Sequence, residues 1–358
     1  MAEIVFERNS STFRIHNPFN DFAEEEHRVE VRKDPLLGDT SVYNPYLKDK
    51  AKAFFGVNDP GLIGRLVEET AKNCIFCGEN VRQRTARYTD DLVPGGRIEE
   101  GEAVLFANLF AIATHHPVIA LSKAHFLKLS EFSPRMLADG FSAARTFLKD
   151  IYRRDSTITV ATVNANYLPP AGASLVHPHM QMLATAVPYS YHGRLLNASG
   201  DYLRRNGTCY FNDLILEEKR VGERYIGARG RWHWLAAFSP LGSNEITGVH
   251  EEASDLGRLA DQDIQDLSHG ISRALAFFED LGHLSFNFTL YSAKGAEVVG
   301  SRCVVKIVNR QNLYANYRND DYFLQKLLQS ELILNLPEEL AAKARKYFFA
   351  SGGAEPSR

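Results

Sequence analysis

Cysteine, long apolar runs and net charge are all scarce in this sequence. Its 358 residues include only four cysteines, so a disulfide scaffold is excluded for a chain of this size. No stretch approaches the roughly 20 apolar residues of a membrane span, and the first residues lack the apolar core of a signal peptide. A formal net charge of -3 gives no support for broad attraction to nucleic acid or to a membrane surface. We therefore expect a cytoplasmic protein with neither nucleic acid nor a membrane as a partner.

Two similar successions of elements indicate a duplicated unit. Apolar residues recur at helical spacing over 133–153 and again over 264–278. Each of these predicted helices is followed by a strand, a loop and a second strand. The predicted strands of the two successions are 157–163 and 176–183, then 286–291 and 303–308. The length and the 44% hydrophobic content are sufficient for two such units.

The remaining segments are assigned around these two units. Residues 1–27 have mixed charge and little periodicity and are predicted to be an extension. Further strands are predicted at 103–111, 117–121 and 231–238, a polar loop around 190–208, and helices around 46–55 and 337–349. We expect the first unit over residues 28–195 and the second over 205–350.

Cys74 and Cys77 form a Cys-x-x-Cys pair followed by a glycine. Two thiolates at this spacing chelate one tetrahedral zinc ion, and a small residue after them favours the tight turn. A redox pair or two ordinary buried cysteines are the alternatives. A zinc site needs two more ligands, and these must come from distant histidines, for which His115, His116 and His125 are candidates.

The stretch His177-Pro-His179-Met-Gln181 follows a run of small residues at 172–174. In a strand, both imidazoles and the carboxamide share one face, with neighbouring histidines roughly 6–7 Å apart. The small residues let a ligand approach the backbone closely. This combination suits a phosphate ester attacked by a nitrogen nucleophile. The alternative is a pair of polar residues on a solvent-facing strand.

The second half contains a segment that aligns with this stretch but lacks its two histidines. Aligning Ser301 with Ser174 places Val304 on His177 and Lys306 on His179. The sequence therefore predicts one working site in each chain, with a degenerate second copy.

Several motifs together resemble the galactose-1-phosphate uridylyltransferase family of the histidine-triad superfamily. They are Arg-x-Asp-Pro-Leu-x-Gly at 32–38, the cysteine pair, Phe106 with Asn108, Ser-x-x-His at 122–125, Asn166 and His-Pro-His-x-Gln at 177–181. The wording Ala-Gly-Ala-Ser at 171–174 resembles the nucleoside-diphosphate-sugar phosphorylase branch. The resemblance implies an α+β fold of duplicated histidine-triad-like units, with antiparallel sheets and helices packed on one face. It also implies a homodimer.

The resemblance also implies roles for individual residues. Cys74, Cys77, His125 and His177 would bind a structural zinc ion. His179 would be the nucleophile that takes a nucleoside monophosphate from a nucleotide sugar, with Gln181 and Ser174 hydrogen-bonding the phosphoryl oxygens. The remaining substrate contacts implied are Lys50, Phe106, Asn108, Asn166, Gly172 and Ala173. Asn108 and Asn166 have an alternative role, because asparagine at strand ends often caps backbone groups.

The sequence departs from the family pattern at positions that contact the substrate. Leu47 and Lys50 stand where the family has two arginines, and Leu109 replaces an acidic residue expected after Asn108. A glutamine expected near the carboxy terminus falls among Leu332 and Ile333. Transfer between hexose phosphates, and of galactose in particular, is therefore disfavoured.

Three functions remain open from the sequence. The first is a nucleotidyltransferase that works through nucleotidyl-His179, with a sugar 1-phosphate or inorganic phosphate as acceptor. The second is a hydrolase of nucleotide sugars or dinucleotides on the same site. The third is a zinc-containing nucleotide-binding protein without catalysis, which the degenerate second copy suggests.

Overall fold

Strands and helices are mixed along the chain in this computed structural model, which describes residues 2–295 and 298–349. The strands are β1 Arg8–Asn17, β2 Ala23–Lys33, β3 Thr40–Tyr43, β4 Ile98–Glu100, β5 Ala103–Ala107, β6 Pro117–Ala120, β7 Val160–Tyr167, β8 His179–Thr185, β9 Tyr225–Arg229, β10 Trp232–Ala236, β11 Ile246–His250, β12 Phe286–Ala293, β13 Val304–Asn309 and β14 Ser330–Ile333. The helices are α1 Ala51–Phe55, α2 Pro60–Ala71, α3 Asn80–Gln83, α4 Pro134–Arg154, α5 Ser190–Asn206, α6 Tyr210–Val221, α7 Asp261–Asp280, α8 Phe323–Lys326 and α9 Pro337–Phe349. The α+β class expected from the sequence is confirmed.

One antiparallel sheet carries both halves of the chain. Its ten strands lie in the order β4-β5-β6-β8-β7-β12-β13-β11-β10-β9, which reads as two halves in mirror order about the β7–β12 pair. Helix α4 leads from β6 to β7, and α7 leads from β11 to β12, so the two long helices occupy equivalent places. This topology confirms the duplicated unit. The division at residues 28–195 and 205–350 stays a prediction, and residue 350 lies outside the described residues.

The two long helices pack against one face of this sheet. Ser133 caps the start of α4 by accepting a hydrogen bond from the amide of Met136, and Pro134 occupies its first turn. The main core lies between these helices and the sheet. Its fully buried members include Phe141, Phe147, Ile271, Phe278, Met180 and Leu290. Helices on one face of an antiparallel sheet are what the sequence predicts.

The other face of the sheet is covered at its two ends and left polar between them. Over the first-half strands lies a cluster that includes Cys74, Phe76, Val81, Val104, Phe106 and Val118. Helices α5 and α6 cover the second-half strands through a cluster that includes Leu195, Tyr202, Tyr210, Ile215, Val249 and Val304. Between the covers, strands β8, β7 and β12 present His179, Gln181, Asn164, Asn166, Asn287 and Thr289, while the alternate residues of these strands enter the main core.

The predicted strand over 176–183 is wrong at its start. Strand β8 begins at His179, three residues later than expected. Pro178 has no amide hydrogen to donate to a ladder, and its carbonyl accepts the amide of Leu121 instead. His177 therefore lies in a bend before the strand. The predicted strand over 103–111 similarly ends early, at Ala107, because the Asn108 side chain accepts the amide of Phe110 and forms a turn.

The predicted polar loop around 190–208 is also wrong, because most of it is helix α5. His192, Leu195, Ser199 and Tyr202 are its buried residues at helical spacing, and only one of them is aliphatic. The predicted extension over 1–27 contains β1 and part of β2, which form a long hairpin. Most of its residues are exposed on both faces, so the sequence lacks the alternation that indicates a strand. Strands β1, β2, β3 and β14 form a second, four-stranded sheet.

None of the helices among the described residues combines the length and the apolar content needed to cross a membrane.

We expect Gly270→Ala to destabilise the protein. Gly270 lies in α7 against Trp234, and a methyl group there would overlap the indole ring. The overlap should lower the free energy of unfolding by about 1–3 kcal/mol, more than alanine recovers through its helix propensity. Urea unfolding measures this change.

Gly64→Ala is the matched control, because Gly64 lies in α2 and a methyl group there would contact nothing within 4 Å. This variant should gain up to about 1 kcal/mol from helix propensity. Equal stabilisation by both substitutions would contradict the close packing of α7 on the sheet.

Candidate functional site

Four side chains from distant parts of the sequence form one cluster of metal-ligand type. The ligand atoms of Cys74, Cys77, His125 and His177 all lie within 4.8 Å of one another. The Nδ1 atom of His177 is 3.7 Å from the Sγ of Cys74 and 3.4 Å from that of Cys77, and the Nδ1 of His125 is also 3.4 Å from Cys77. Cys74 and His177 are buried, and the other two are partly exposed. The structure therefore brings together the four residues that the resemblance implies as ligands, and the cluster could hold a metal ion.

The hydrogen bonds around the cluster leave the Nδ1 atoms of His125 and His177 free to bind a metal. The Nε2 of His177 lies 2.8 Å from the carbonyl oxygen of Ser122, which only accepts, so the proton is on Nε2. The Nε2 of His125 lies 2.9 Å from the hydroxyl of Thr70, which itself donates to the carbonyl of Leu66. Both Nδ1 atoms therefore direct lone pairs at the thiols. Such outer hydrogen bonds are typical of metal-binding histidines.

Burial shifts the pKa values of residues in the same cluster. It raises the pKa of the Cys77 thiol to about 12, with a further contribution from Cys74, and it lowers the pKa of His177 to about 4. A bound divalent cation would offset the cost of holding the two cysteines as thiolates. Two thiolates and two neutral imidazoles form a donor set that fits a tetrahedral metal ion.

His179 stands next to this cluster and faces the polar part of the sheet. Its Nδ1 lies 2.8 Å from the carbonyl oxygen of His177, so Nδ1 carries the proton and Nε2 carries the lone pair. The Nε2 atom makes no hydrogen bond with any part of the chain that the structure describes. Burial lowers the pKa of His179, and the side chain packs edge-on against Phe76. The arrangement presents a neutral imidazole nitrogen, which is a competent nucleophile.

Gln181 is oriented by His116, which the sequence offered only as a candidate metal ligand and which lies outside the cluster. The amide of Ile112 donates to Nδ1 of His116, so Nε2 of His116 is protonated and donates to the Oε1 of Gln181 at 2.8 Å. The Nδ2 of Asn108 lies 3.4 Å from the same oxygen. With its oxygen held by these donors, the carboxamide of Gln181 directs its NH₂ group elsewhere, where it can meet an anion.

The small-residue turn lies close to these groups in the fold. Leu168 and Gly172 have φ of +68° and +82°, which is strained for the leucine and ordinary for the glycine. The amides of residues 171–173 bond carbonyls of residues 168 and 169, so the turn holds its own shape. Ser174 is exposed at the end of the turn, and its amide and hydroxyl make no hydrogen bond within the described chain. Gly172 is exposed and Ala173 is partly exposed.

The other predicted substrate contacts differ in whether they lie on the polar face of the sheet that carries His179. Asn166 accepts a hydrogen bond of 2.6 Å from Asn287, and its own NH₂ group remains available. Phe106 is 3% exposed and packs against Phe76, so it supports the metal segment. Lys50 is exposed with its Nζ 6.0 Å from the ring of Phe19 in the hairpin, and no contact of the described chain joins it to His179.

Two further polar residues of this face were missed from the sequence. Asn287 and Arg310 come from the second half, and Arg310 donates to Asn287 at 2.6 Å. The residue Asn287 stands in the strand next to that of Asn166, with which it is paired in register. A signal was present in the alternation of Phe286, Asn287 and Phe288, which predicts a polar face for Asn287. Nothing in the sequence alone indicates that this face continues the first-half site.

Solved structures define the class of this fold. An ADP-glucose phosphorylase from Arabidopsis thaliana, with bound ADP-glucose, is similar with a TM-score of 0.66 at 19% identity, over 89% of this chain and 99% of that chain. A GalT-like protein from Arabidopsis thaliana gives a TM-score of 0.65 at 18% identity, over 88% and 98% of the two chains. A uridylyltransferase mutant gives 0.62 at 15% identity, over 91% and 99%. The chain has the fold of these proteins, and the fold that the sequence resemblance implies is confirmed.

Sequence comparison places the chain within a family. An uncharacterized protein of Archaeoglobus fulgidus is 30% identical over 325 residues, which are 90% of this chain and 93% of that protein, and the chain belongs to its family. The ADP-glucose phosphorylase of Arabidopsis thaliana is 32% identical over 94 residues, which are 26% of each chain. No protein-family model matches the sequence.

We expect the purified protein to contain one transition-metal ion per chain, held by the four-residue cluster. Cys74→Ser should lose the ion and unfold at a lower temperature, because structural metal binding contributes directly to folding. Elemental analysis and thermal unfolding measure the two effects.

Cys209→Ser is the matched control, since Cys209 is a partly exposed cysteine outside the cluster. It should retain the metal. A metal-free wild type, or a Cys74→Ser variant with full metal content, would contradict the site.

Proposed function

We propose that the protein is a nucleotidyltransferase that acts through a covalent nucleotidyl-His179 intermediate. The observation that carries this proposal is the hydrogen bond from the Nδ1 of His179 to the carbonyl of His177. It fixes the tautomer whose lone pair is on Nε2, on the polar face of the sheet. Since burial lowers the pKa of this imidazole, it stays neutral at neutral pH and ready to attack.

The first half-reaction transfers the nucleotide to the protein. The Nε2 lone pair of His179 attacks the α-phosphorus of a nucleoside diphosphate sugar and forms an N–P bond. The bond between this phosphorus and the bridging oxygen breaks, and the sugar 1-phosphate leaves with the electron pair. Imidazole suits this step because it is both a nucleophile and a leaving group near pH 7.

The second half-reaction regenerates His179. An oxygen of the phosphorylated acceptor attacks the same phosphorus, the N–P bond breaks, and the nucleotide leaves on the acceptor. With inorganic phosphate as acceptor the product is a nucleoside diphosphate, and with a sugar 1-phosphate it is a new nucleotide sugar. Two successive displacements at one phosphorus imply ping-pong kinetics.

The groups beside His179 can stabilise the negative charge that develops on the phosphoryl oxygens. Gln181 can donate from its NH₂ group, because His116 holds its carbonyl oxygen. Ser174 offers an amide and a hydroxyl at the end of a rigid turn, and Asn166 offers its NH₂ group. Donors held in place before the reaction stabilise the transition state without reorganising. These contacts are part of the proposal.

Zinc is the metal proposed for the cysteine and histidine cluster. Two thiolates and two imidazoles form a closed tetrahedral set with no position left for substrate, so the ion would have a structural role. It would tie the segment around Cys74 and Phe76 to the start of β8 and so fix the backbone whose carbonyl orients His179. The reaction itself uses only the residues of the chain.

We favour inorganic phosphate as the acceptor over a hexose phosphate. The first-half sequence has Leu47 and Leu109 where the uridylyltransferase pattern has substrate-binding residues. The fold and the short sequence match to an ADP-glucose phosphorylase support the same choice. A homodimer remains a prediction from the resemblance.

We expect incubation with ADP-glucose or a UDP-sugar to add one AMP or UMP to the protein. The adduct should be acid-labile, as a phosphoramidate is, and should be absent from His179→Gln, which lacks the attacking nitrogen. Intact-protein mass spectrometry detects it.

His16→Gln is the control, because His16 lies in the exposed hairpin. It should form the adduct as the wild type does. An adduct in His179→Gln, or none across a panel of nucleotide sugars, would overturn the mechanism. Product release with donor alone would instead identify a hydrolase, and nucleotide binding that does not depend on His179 and occurs without turnover would identify a binding protein.

We also expect His116→Ala to slow adduct formation about tenfold or more, because Gln181 would lose the hydrogen bond that orients its carboxamide. The metal content should not change, since His116 is outside the cluster. Single-turnover kinetics with a nucleotide sugar measure the rate.

The matched control is His115→Ala. This neighbouring histidine packs against Phe147 and has no link to Gln181. A rate unchanged by His116→Ala, or reduced equally by both substitutions, would contradict the positioning role of His116.

A further inference from the structure

A row of amide side chains crosses the open face of the sheet from the first half to the second. In the β7–β8 pair, Asn164 stands opposite Gln181, and two residues further along each strand Asn166 reaches the level of His179. In the next pair, Asn166 stands opposite Asn287. Adjacent strands are about 4.8 Å apart, so Asn287 lies about 10 Å from the strand of His179.

Arg310 stands at the second-half end of this row. Its Nη1 donates to the Oδ1 of Asn287 at 2.6 Å, and the Nδ2 of Asn287 donates in turn to the Oδ1 of Asn166 and to the carbonyl of Ala171. Arg310, Asn287 and Asn166 therefore form one connected network that ends at the small-residue turn. It brings a guanidinium from the degenerate half to the site of the first half.

Asp320 fixes the plane of this guanidinium. Its two oxygens accept from Nε and Nη2 of Arg310 at 2.9 and 2.6 Å, a bidentate pair. These bonds and the one to Asn287 use three of the five N–H groups of the arginine. The Arg310 side chain is 22% exposed whereas that of Asp320 is 7% exposed, so the unused N–H groups remain within reach of a ligand.

The row marks the direction in which a diphosphate bound at His179 would extend. A phosphorus attached to Nε2 of His179 would lie above β8 and β7, and the next phosphoryl group would extend along the sheet towards Asn287. Of the two arginines that the family pattern places in the first half, one is replaced by Leu47 and the other by Lys50, whose Nζ lies 6.0 Å from the ring of Phe19 in the hairpin. A site for a dianionic group gains from a guanidinium, which is always charged and donates in a fixed plane.

We propose that Arg310, held by Asp320 and Asn287, binds the phosphoryl group beyond the α-phosphate. This group is the β-phosphate of the nucleotide or the inorganic phosphate acceptor, which occupy one place because the leaving group and the acceptor bind the same side of the α-phosphorus. The inference rests on the proposed function and assigns to the second half a substrate contact.

Lys306, in β13, is a second cation close to Arg310 along the chain, and it does not compete for the role. Its ammonium is ion-paired with Glu245 and lines a cavity under α5 and α6 together with Asp34 and Tyr191. Arg310 alone of these two cations is hydrogen-bonded to Asn287.

The experiment is calorimetric titration of the wild type and Arg310→Gln with ADP and AMP, and with UDP and UMP. The expected result is about tenfold weaker binding of the diphosphate in the variant, with monophosphate affinity changed less than about twofold. A second titration, of inorganic phosphate into protein saturated with AMP, should weaken in parallel if free phosphate uses the same place. If only diphosphate binding weakens, Arg310 serves the esterified phosphate.

Equal losses for diphosphate and monophosphate would overturn the proposal, because they would mean that Arg310 only supports the turn. Unchanged affinities would overturn it as well. The matched control is Arg231→Gln, since Arg231 also makes a bidentate pair, with Asp263, but at the β10 end of the sheet. It should bind all four nucleotides as the wild type does.

If Arg310→Gln fails to fold, the double variant Arg310→Gln/Asp320→Asn replaces it, because removing both charges leaves no unpaired buried carboxylate. The same loss of preference for diphosphate is expected. Adduct formation on His179 in the wild type is scored separately. An adduct together with an unchanged preference for diphosphate would contradict the role of Arg310 and leave the proposed function standing. No adduct, together with a reduced preference for diphosphate in the variant, would contradict the proposed function and leave the role of Arg310 standing.

Discussion

The hydrogen bond between the ring of His179 and the backbone of His177 is the constraint on which the site depends. His177 takes part through both its groups: its ring completes the cysteine and histidine cluster, and its carbonyl fixes the tautomer of His179. A disturbance of the cluster should therefore shift the backbone that orients His179. Pro178 strengthens this coupling, because it keeps the bend out of the β8 ladder and leaves its carbonyl to Leu121. The cysteine and histidine cluster and the proposed nucleophile are thus coupled through one residue, His177.

The open site follows from how the two faces of the sheet are used. The long helices cover one face, so most of the strands bury alternate residues there. On the other face, the metal segment covers the first-half end and α5 and α6 cover the second-half end. Strands β7 and β12 lie between these covers, at the mirror centre of the sheet. Polar residues on them lie on the uncovered part of this face, where Asn166 of the first half accepts a hydrogen bond from Asn287 of the second, so both halves border the candidate site.

Much of the site and part of the fold could be predicted from the sequence, for reasons that differ between residues. The spacing of Cys74 and Cys77 indicates a metal site, and the resemblance to a family supplies His125 and His177 as the other two ligands. His177 and His179 stand in one short motif, and the long helices have strong periodicity. Helix α5 was missed because its buried face contains His192 and Ser199, which apolar periodicity does not count. The hairpin was missed because β1 is mostly exposed and the buried residues of β2, His27, Glu30 and Arg32, are polar. His116, Asn287 and Arg310 are brought to the site by strand register, which depends on pairing between distant segments.

The second half has a segment that aligns with the stretch around His179, but an ion-paired lysine, Lys306, stands at the position of that histidine. Burial alone would lower the pKa of Lys306, but the adjacent Glu245 raises it above its usual value and keeps the ammonium charged. A charged, ion-paired amine has no lone pair to attack phosphorus, so this position cannot replace an imidazole. Its neighbour Val304 packs in the cluster under α5 and α6, where a metal ligand would have no partners. The second half thus supports the candidate site and supplies polar contacts to it. The halves differ because the segment around Cys74 and Phe76 covers the first, whereas α5 and α6 cover the second.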